Sequence, residues 1–209
     1  MHTGSMAVEK LTRERRRQQT RDVLIAAATE VFARRGYEGA SLEEIAETAG
    51  FTRGAIYKNF AGKEELFFAV SERFNEHVIE AFRAIAPTSA TGSDWDISRL
   101  ADMWGASVAD ADNFLAIGME FQLFALRNPK VRKQAKVHRR KNVALVAAFI
   151  EEVAVRAGMQ LRLPAQTLAE VILAAADGLA YSARVDGEDL FAPFLEILNA
   201  GMIAPGPPR

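Results

Sequence analysis

The residues best suited to specific chemistry in this chain lie between Ser41 and Lys63, in the stretch SLEEIAETAGFTRGAIYKNFAGK. Its arginine and lysines can bond phosphate oxygens, and a guanidinium also matches the O6/N7 edge of guanine. Its serine, threonine, tyrosine and asparagine add neutral hydrogen-bonding groups. Phosphate contacts fix register and base-edge contacts supply sequence preference, so this combination indicates DNA recognition.

Two short helices joined by a tight turn are predicted to position these groups. Ser41 and Glu44 form a capping box, since each side chain can bond the other residue's free backbone N–H. Gly50 is suited to the left-handed conformation that ends a helix. Between Ser41 and Gly50, apolar residues at i, i+3, i+4 and i+7 predict the buried face of the first of these helices: Leu42, Ile45, Ala46 and Ala49.

The second helix is expected to follow Thr52, which is predicted to cap it through its side chain. Phe51 is expected to fill the corner between the helices, and Ile56 and Phe60 to be buried. The side chains predicted to face outward are Thr52, Arg53, Tyr57, Lys58 and Asn59. A short helix, a glycine turn and a second helix rich in hydrogen-bonding groups describe a helix-turn-helix.

Residues 20–66, TRDVLIAAATEVFARRGYEGASLEEIAETAGFTRGAIYKNFAGKEEL, resemble the DNA-binding domain of the tetracycline-repressor (TetR) family. One departure is Asn59, where the family often has histidine or tyrosine. The similarity includes the helix ahead of the motif and the residues that leave it: Ala27, Ala28, Phe32, Gly36, Tyr37, Tyr57, Phe60 and Lys63. The resemblance implies an all-α fold of about nine helices, with a C-terminal helical domain for effector binding and dimerisation.

The domain organisation is predicted from these signals and from helical spacing. Residues 1–19 are interpreted as a tag remnant and a basic N-terminal arm, 20–66 as the helix-turn-helix domain, 67–203 as the effector-binding and dimerisation domain, and 204–209 as a disordered tail. The first helix is expected to start near Thr20 and to end at Gly36. Later helices are expected over 63–85, 96–109, 113–127, 129–157 and 164–185, with another from Asp186 or Asp189. The 113–127 helix is apolar almost all round, which predicts a central, buried helix.

Composition narrows the function classes. The chain has 209 residues, 49% of them apolar, and no cysteine, which excludes disulfides and thiol catalysis. It has no glycine-rich phosphate loop and no H-x-x-x-H spacing, so neither an enzyme nor a bound metal or cofactor is expected. No secretory signal or membrane-length apolar run is evident, which predicts a cytoplasmic protein. The net charge of −1 conceals six basic residues against one acid between Lys10 and Arg21.

The DNA contacts are predicted residue by residue. Arg53 is assigned to a base edge, with Gly54 leaving room for close approach and Ala55 contacting a thymine methyl group. Phosphate contacts are assigned to Ser41, Thr52, Tyr57, Lys58 and Lys63, and the last of these resembles the family's phosphate-binding lysine; Asn59 completes the surface. The basic arm, with Arg15, Arg16 and Arg17, either lies along phosphates or in the minor groove, or is a solvated tail.

The remaining predictions follow from the resemblance. It implies a homodimer on a palindromic operator, and the interface is assigned to Val171, Ala174, Ala175, Gly178, Phe191, Phe194, Leu195 and Leu198. The alternative is that these residues close the monomer's own core. A lipophilic effector is predicted to release a repressor from DNA, bound by Phe67, Phe74, Met103, Trp104, Met119, Phe121, Gln122, Phe124, His138 and Asn142. Here the alternatives are plain core packing, and a regulator without a small-molecule effector that acts through a protein partner or as an architectural factor.

Overall fold

The computed structural model describes residues 3–85, 102–103 and 112–202, in which eight α-helices and no β-strand are present. The helices are α1 (Thr3–Gly39), α2 (Leu42–Thr48), α3 (Arg53–Asn59), α4 (Lys63–Ile85), α5 (Asp112–Arg127), α6 (Pro129–Arg156), α7 (Ala165–Val185) and α8 (Phe191–Met202). The all-α prediction is confirmed. The helix predicted over 96–109 falls almost entirely outside the described residues, as does the tail from 204.

The chain divides into two compact units that are not continuous in sequence. Unit 1 comprises Met1–Arg73 and Ala116–Val131, and unit 2 comprises Phe74–Leu115 and Arg132–Arg209. Unit 1 therefore contains the predicted helix-turn-helix, the first part of α4 and most of α5. No helix in the described ranges is both long enough and apolar enough to span a membrane.

Helix α1 begins at Thr3, so the predicted start near Thr20 is wrong. The residues before Thr20 are mostly arginine, glutamine, glutamate and lysine, which favour helix, and they include neither glycine nor proline from 7 to 19. Thr20 does not cap the helix; its Oγ1 donates to the Arg16 carbonyl oxygen at 3.0 Å, as a threonine inside a helix does. The predicted break at Gly36 is confirmed by its φ of 72°.

The core of unit 1 is built from aromatic rings on α1, α4 and α5. The Phe67 and Phe121 rings stack with their centroids 4.2 Å apart. Tyr37 meets both rings edge-on, at 5.3 Å from Phe67 and 4.9 Å from Phe121. Phe32 and Phe68 extend the cluster. Buried aromatic pairs add a geometric preference to the area they remove from water, so this core fixes orientation as well as stability.

Helix α5 is buried on one face only, so the prediction that it is buried all round is wrong. Ile117, Phe121 and Ala125 are buried at i, i+4 and i+8. Met119, Leu123 and Leu126 are exposed, with Leu126 reaching 66%. An apolar sequence on every side of a helix does not by itself decide which side packs.

One buried cluster of unit 2 joins α6 to α7 through small side chains. Val143 and Ala147 of α6 pack with Ala165 and Ala169 of α7, and partly buried Val146, Ile150, Leu161 and Leu173 surround them. The predicted helix ends are confirmed, since Gly158 has a φ of 62° and Pro164 is the N-cap of α7. At α8, the Asp189 Oδ1 accepts from the Phe191 backbone N–H at 3.0 Å, one of the two predicted caps.

Candidate DNA-binding site

Helix α2 is capped by Ser41 as predicted. The Ser41 Oγ accepts from the Glu44 backbone N–H at 3.1 Å. The Glu44 carboxylate is directed to α1, where Oε1 accepts from Arg34 Nη2 at 2.9 Å and Arg35 Nε at 3.2 Å. These bonds, that from Arg34 first, hold the pKa of Glu44 below its usual value. The Ser41 half of the predicted capping box is therefore present, whereas the Glu44 side chain bonds α1 and not the Ser41 backbone N–H, so that half of the prediction is wrong.

The turn between α2 and α3 is closed by its backbone. Gly50 has a φ of 70°, as predicted, and its N–H donates to the Glu47 carbonyl oxygen at 3.0 Å. The Phe51 N–H donates to the Ala46 carbonyl oxygen at 2.8 Å, which completes a Schellman arrangement. The Phe51 ring is exposed, so the prediction that it fills the corner is wrong. These two backbone bonds close the corner without it.

Helix α3 has the predicted buried face and two incorrectly predicted polar residues. Ile56 and Phe60 are fully buried. Thr52 occupies the N-cap position, but its side chain makes no capping hydrogen bond, so that prediction is wrong. Asn59 does not face outward, because its Nδ2 donates to the Ala55 carbonyl oxygen at 2.8 Å and its Oδ1 is buried without a partner. Local bonding to the helix backbone has competed with display of the amide.

The outward face of α3 presents Arg53, Tyr57 and Lys58, all exposed as predicted. The Arg53 Nη2 donates to the Tyr57 hydroxyl at 2.9 Å, and the guanidinium lies over the Tyr57 ring at 5.4 Å from its centroid. The Arg53 Nη1 forms an ion pair with Glu43 of α2, a partner that sequence reasoning missed. A Cβ added at Gly54 would lie 3.7 Å from Thr52 Oγ1, an ordinary contact, so packing inside the protein does not require glycine there.

Lys63 is committed to the protein backbone. Its ammonium donates to the carbonyl oxygens of Tyr37, Glu38 and Ala40 at 2.7, 3.2 and 2.9 Å. Burial lowers its pKa, the expected effect of low polarity on a cation. These bonds satisfy carbonyls at the end of α1. The geometry therefore gives the Lys63 side chain a structural role and does not support the predicted phosphate contact.

Two further braces of this site were missed from the sequence. The Arg21 Nη1 donates to the Asn59 carbonyl oxygen at 2.9 Å, and its guanidinium lies 4.1 Å from the centroid of the Phe60 ring. The Glu120 Oε2 of α5 accepts from the Tyr37 backbone N–H at 2.7 Å. Arg21 carried a weak signal, as a basic residue next to the motif. Glu120 carried none, because 83 positions separate it from Tyr37.

The predicted basic arm is helical in its described part. Arg15, Arg16 and Arg17 are exposed on α1, which continues without a break into the packed part of the helix. An extended arm lying in a groove is therefore not what the structure shows. The three cations remain available on a helical surface.

The residues predicted to bind an effector do not form one set. Phe67, Phe121 and Phe124 belong to the aromatic core of unit 1 around Tyr37, so the core-packing alternative describes them better. Met119 and Gln122 of the same unit are exposed. Phe74, Met103, His138 and Asn142 belong to unit 2 and are half-buried, whereas Trp104 lies outside the described residues. Among the described ranges no group of three or more potential metal ligands is present.

The residues predicted at the dimer interface divide by exposure. Val171, Ala174 and Gly178 are exposed on α7, and no atom lies within 4 Å of a Cβ added at Gly178. Phe191 is buried within the chain itself, with its ring 6.5 Å from that of Phe82, so its assignment to the interface is wrong. The other predicted interface residues are half-buried: Ala175, Phe194, Leu195 and Leu198.

Comparison with known proteins agrees with this geometry. The family model "Bacterial regulatory proteins, tetR family" matches residues 24–70. The HTH-type transcriptional activator FasR of Mycolicibacterium smegmatis is 36% identical over 86 residues, which cover 41% of this chain and 37% of FasR. The HTH-type transcriptional regulator YfiR of Bacillus subtilis, described as uncharacterized, is 27% identical over 182 residues, 86% of this chain and 87% of YfiR.

A solved structure shows the same fold over most of the chain. The transcriptional regulator FadR of Bacillus subtilis, in complex with stearoyl-CoA, superposes with a TM-score of 0.57 at 20% identity. The superposition covers 86% of this chain and 97% of FadR. Helix-turn-helix geometry, family match and regulator relatives agree. Residues 24–70 match the TetR family, and the relatives with which the chain is aligned are named as transcriptional regulators.

Proposed function

We propose that this regulator is a homodimeric repressor that a lipophilic small molecule releases from a palindromic operator. The observation that carries the proposal is the two-sided character of α3. Ile56 and Phe60 are buried, and Arg53, Tyr57 and Lys58 are presented together on the exposed side. A helix fixed by its apolar face and displaying cationic and hydrogen-bonding groups is the arrangement that enters a major groove.

The contacts of this surface divide into two classes. Arg53 is assigned to a base edge, because it is already oriented by Tyr57 and Glu43 and a guanidinium matches guanine. Tyr57, Lys58 and Thr52 are assigned to phosphates, with Ser41 at the start of α2. Gly54 and Ala55 allow close approach of the DNA. Arg15, Arg16 and Arg17 extend the cationic surface along α1.

The test of DNA recognition is selection of preferred duplexes from a randomised pool, followed by salt titration. The wild-type protein is expected to select an inverted repeat, and its affinity is expected to fall steeply with salt. Lys58→Ala should weaken all duplexes alike and reduce the salt slope by about one phosphate per half-site, whereas Arg53→Ala should relax preference at one base pair of each half-site. Equal affinity for every duplex would refute the proposal.

The proposed dimer surface is the exposed face of α7. Exposed residues recur there at helical spacing, with small side chains near the middle that permit close approach of a second helix. They are Val171, Ala174, Gly178, Tyr181 and Val185. Dimerisation would place two reading helices on successive major grooves, about 34–36 Å apart, which explains the expected inverted repeat.

The dimer is tested by sedimentation of Gly178→Arg. The open space around Gly178 means that the monomer can accept the longer side chain, whereas a close helix pair cannot. We expect a dimeric wild-type protein and a monomeric variant that has lost its preference for the inverted repeat. Gln166→Arg, exposed in the first turn of α7, is the control and should remain dimeric. A monomeric wild-type protein would contradict this part of the proposal.

The proposed effector is lipophilic. The structurally similar FadR is known in complex with stearoyl-CoA, and Phe74 and Met103 of this chain supply adaptable apolar surface in unit 2. Stearoyl-CoA and a lipophilic compound library should be screened by thermal shift, and each hit tested for release of the selected duplex. By linkage, a true effector binds more weakly in the presence of DNA, by the same factor that it weakens DNA binding.

The second candidate is a regulator of the same fold without a small-molecule effector. It is favoured by the packing of Phe67, Phe121 and Phe124, since three of the ten predicted effector contacts already fill the core of unit 1. Hits that never alter DNA affinity would support this candidate. Transcription in vitro from a promoter carrying the selected duplex separates repression from activation, the role in which FasR is named.

A further inference from the structure

Glu43 lies beside the exposed face of α3 that is proposed to contact DNA (Arg53, Tyr57 and Lys58, here called the reading surface). DNA binding alone does not explain a carboxylate at this position. Glu43 lies in the first turn of α2, and its side chain is 56% exposed. A carboxylate on a surface that meets phosphates is repelled by them and opposes binding. Because Glu43 lies beside the Arg53 guanidinium and lowers DNA affinity, we expect it to have a second role that compensates for this lost affinity.

The position of Glu43 is defined by its contact with Arg53. The Glu43 Oε1 pairs with the Arg53 Nη1, and the Arg53 Nη2 donates to the Tyr57 hydroxyl at 2.9 Å. The guanidinium is thus held from two sides, by α2 and by the next turn of α3. Arginine carries five N–H donors, and these two contacts leave the others available to a ligand.

The neighbouring acids of α2 have different surroundings. Glu44 is bonded to Arg34 and Arg35 of α1 and so acts within the domain. Glu47 is exposed one turn after Glu43 and has the same charge. Of the three acids, Glu43 is the one paired with the reading arginine. This difference supplies a matched control within the same helix.

We propose that Glu43 is a specificity-determining positioning residue that prevents Arg53 from being captured by phosphates. This role rests on the proposed base contact of Arg53. A guanidinium held by Glu43 can bond a guanine edge that lies in line with its remaining N–H groups. It cannot turn toward the nearest phosphate without breaking the ion pair. Glu43 therefore weakens binding to all DNA, and weakens it most where the matching base is missing.

The experiment compares wild type, Glu43→Gln and Glu47→Gln on two duplexes of equal length, the selected inverted repeat and a random sequence. Glu43→Gln is expected to raise affinity for the random duplex roughly fivefold and to steepen its salt slope by about one phosphate per subunit. Affinity for the selected duplex should rise less than about twofold, because Arg53 is already bonded to its base there. Glu47→Gln should shift both duplexes by the same small factor.

A double-mutant cycle separates positioning from a general charge effect. In an Arg53→Ala background, Glu43→Gln should behave like Glu47→Gln, because no guanidinium remains to be released. Equal effects of the two Gln variants in the wild-type background, or a fall in specificity that persists without Arg53, would overturn the role of Glu43. A wild-type protein without any sequence preference would refute the proposed function itself, and this role with it.

Discussion

The aromatic cluster of unit 1 and the α6–α7 cluster of unit 2 pack in opposite ways. Unit 1 stacks large rings, with Tyr37, Phe67 and Phe121 in mutual contact. The described core of unit 2 joins α6 to α7 through small residues such as Ala147, Ala165 and Ala169. Rings fix the angles between helices, whereas alanines allow helix backbones to approach closely. The unit that must present a reading helix in one orientation is the unit with the ring-based core.

Unit 1 also uses charged side chains to hold its backbone. Arg21, Lys63 and Glu120 each bond main-chain groups at least 23 positions away in sequence. Such bonds satisfy helix-end groups that would otherwise be unpaired. Recognition of DNA tolerates little error in the position of α3. Arg21 of α1 bonds the end of α3, and Lys63 and Glu120 join the start of α4 and helix α5 to the end of α1.

The largest effect should come from removing a ring. Phe121→Ala is expected to cost about 3–5 kcal/mol in the free energy of unfolding, because it leaves a cavity among at least four aromatic neighbours. Urea denaturation followed by circular dichroism measures the loss. Leu123→Ala, on the exposed side of the same helix, should cost far less. Similar losses for the two variants would contradict the ring-based core.

The opposite substitution tests unit 2. Ala169→Leu is expected to cost about 1–3 kcal/mol, since the larger side chain must separate α6 from α7. Ala148→Leu, on the exposed side of α6, should change stability by less than about 0.5 kcal/mol. If Ala169→Leu left the free energy of unfolding unchanged, the α6–α7 cluster of unit 2 would have unfilled volume, and the close packing of this cluster would be contradicted.

The two N-cap positions of the helix-turn-helix provide a paired test with a smaller expected change in stability. Ser41→Ala should cost about 1 kcal/mol, because Ser41 accepts a hydrogen bond from the Glu44 backbone. Thr52→Ala should change stability by less than about 0.5 kcal/mol, because the Thr52 side chain makes no such bond. Thermal unfolding of both variants measures the difference, and equal shifts would contradict the geometry of the caps.

The smallest effect at neutral pH is expected from Tyr37→Phe. The Tyr37 hydroxyl is buried without a partner, and burial raises the pKa of Tyr37 above its usual value. Because the folded protein retains a proton that the unfolded chain loses near pH 10, stability should fall as the pH rises above about 10. The lowered pKa of Lys63 acts in the opposite direction at lower pH, because the folded protein loses that proton first and stability rises with pH up to about 10.5.

Alkaline titration of unfolding, monitored by circular dichroism, tests this account of Tyr37. Tyr37→Phe should be less sensitive than wild type above about pH 10, and the two proteins should have similar stability at pH 7. Equal alkaline sensitivity of wild type and Tyr37→Phe would contradict a role for the buried hydroxyl.

What the sequence predicts well is local. Ser41, Gly50 and Gly36 were assigned correctly because a cap or a positive φ depends on a few neighbouring residues. Thr52 and Asn59 were assigned incorrectly because short polar side chains have several local partners of similar energy. The bond between Glu120 and Tyr37 had no local signal, and the apolar composition of α5 concealed which face would pack.

At the candidate DNA-binding site, as in the fold, the sequence predicts features within one helix and not contacts between helices. Arg53, Tyr57 and Lys58 were placed on the surface because helical spacing separates them from Ile56 and Phe60. Glu43 was missed as a partner of Arg53 because the angle between α2 and α3 brings the two together, and spacing within one helix does not describe that angle. The predicted effector contacts depend on how many helices pack together, and spacing within one helix does not predict that packing.

The carboxylate of Glu120 has a practical consequence for protein engineering. It accepts a hydrogen bond from the Tyr37 backbone N–H, 83 positions away, so the end of α1 and helix α5 should be exchanged together. A chimaera cut after Arg73, as a modular biosensor would be assembled, leaves Glu120 and Phe121 behind. Chimaeras that transfer residues 116–131 together with residues 1–73 should fold more often than chimaeras joined only after Arg73.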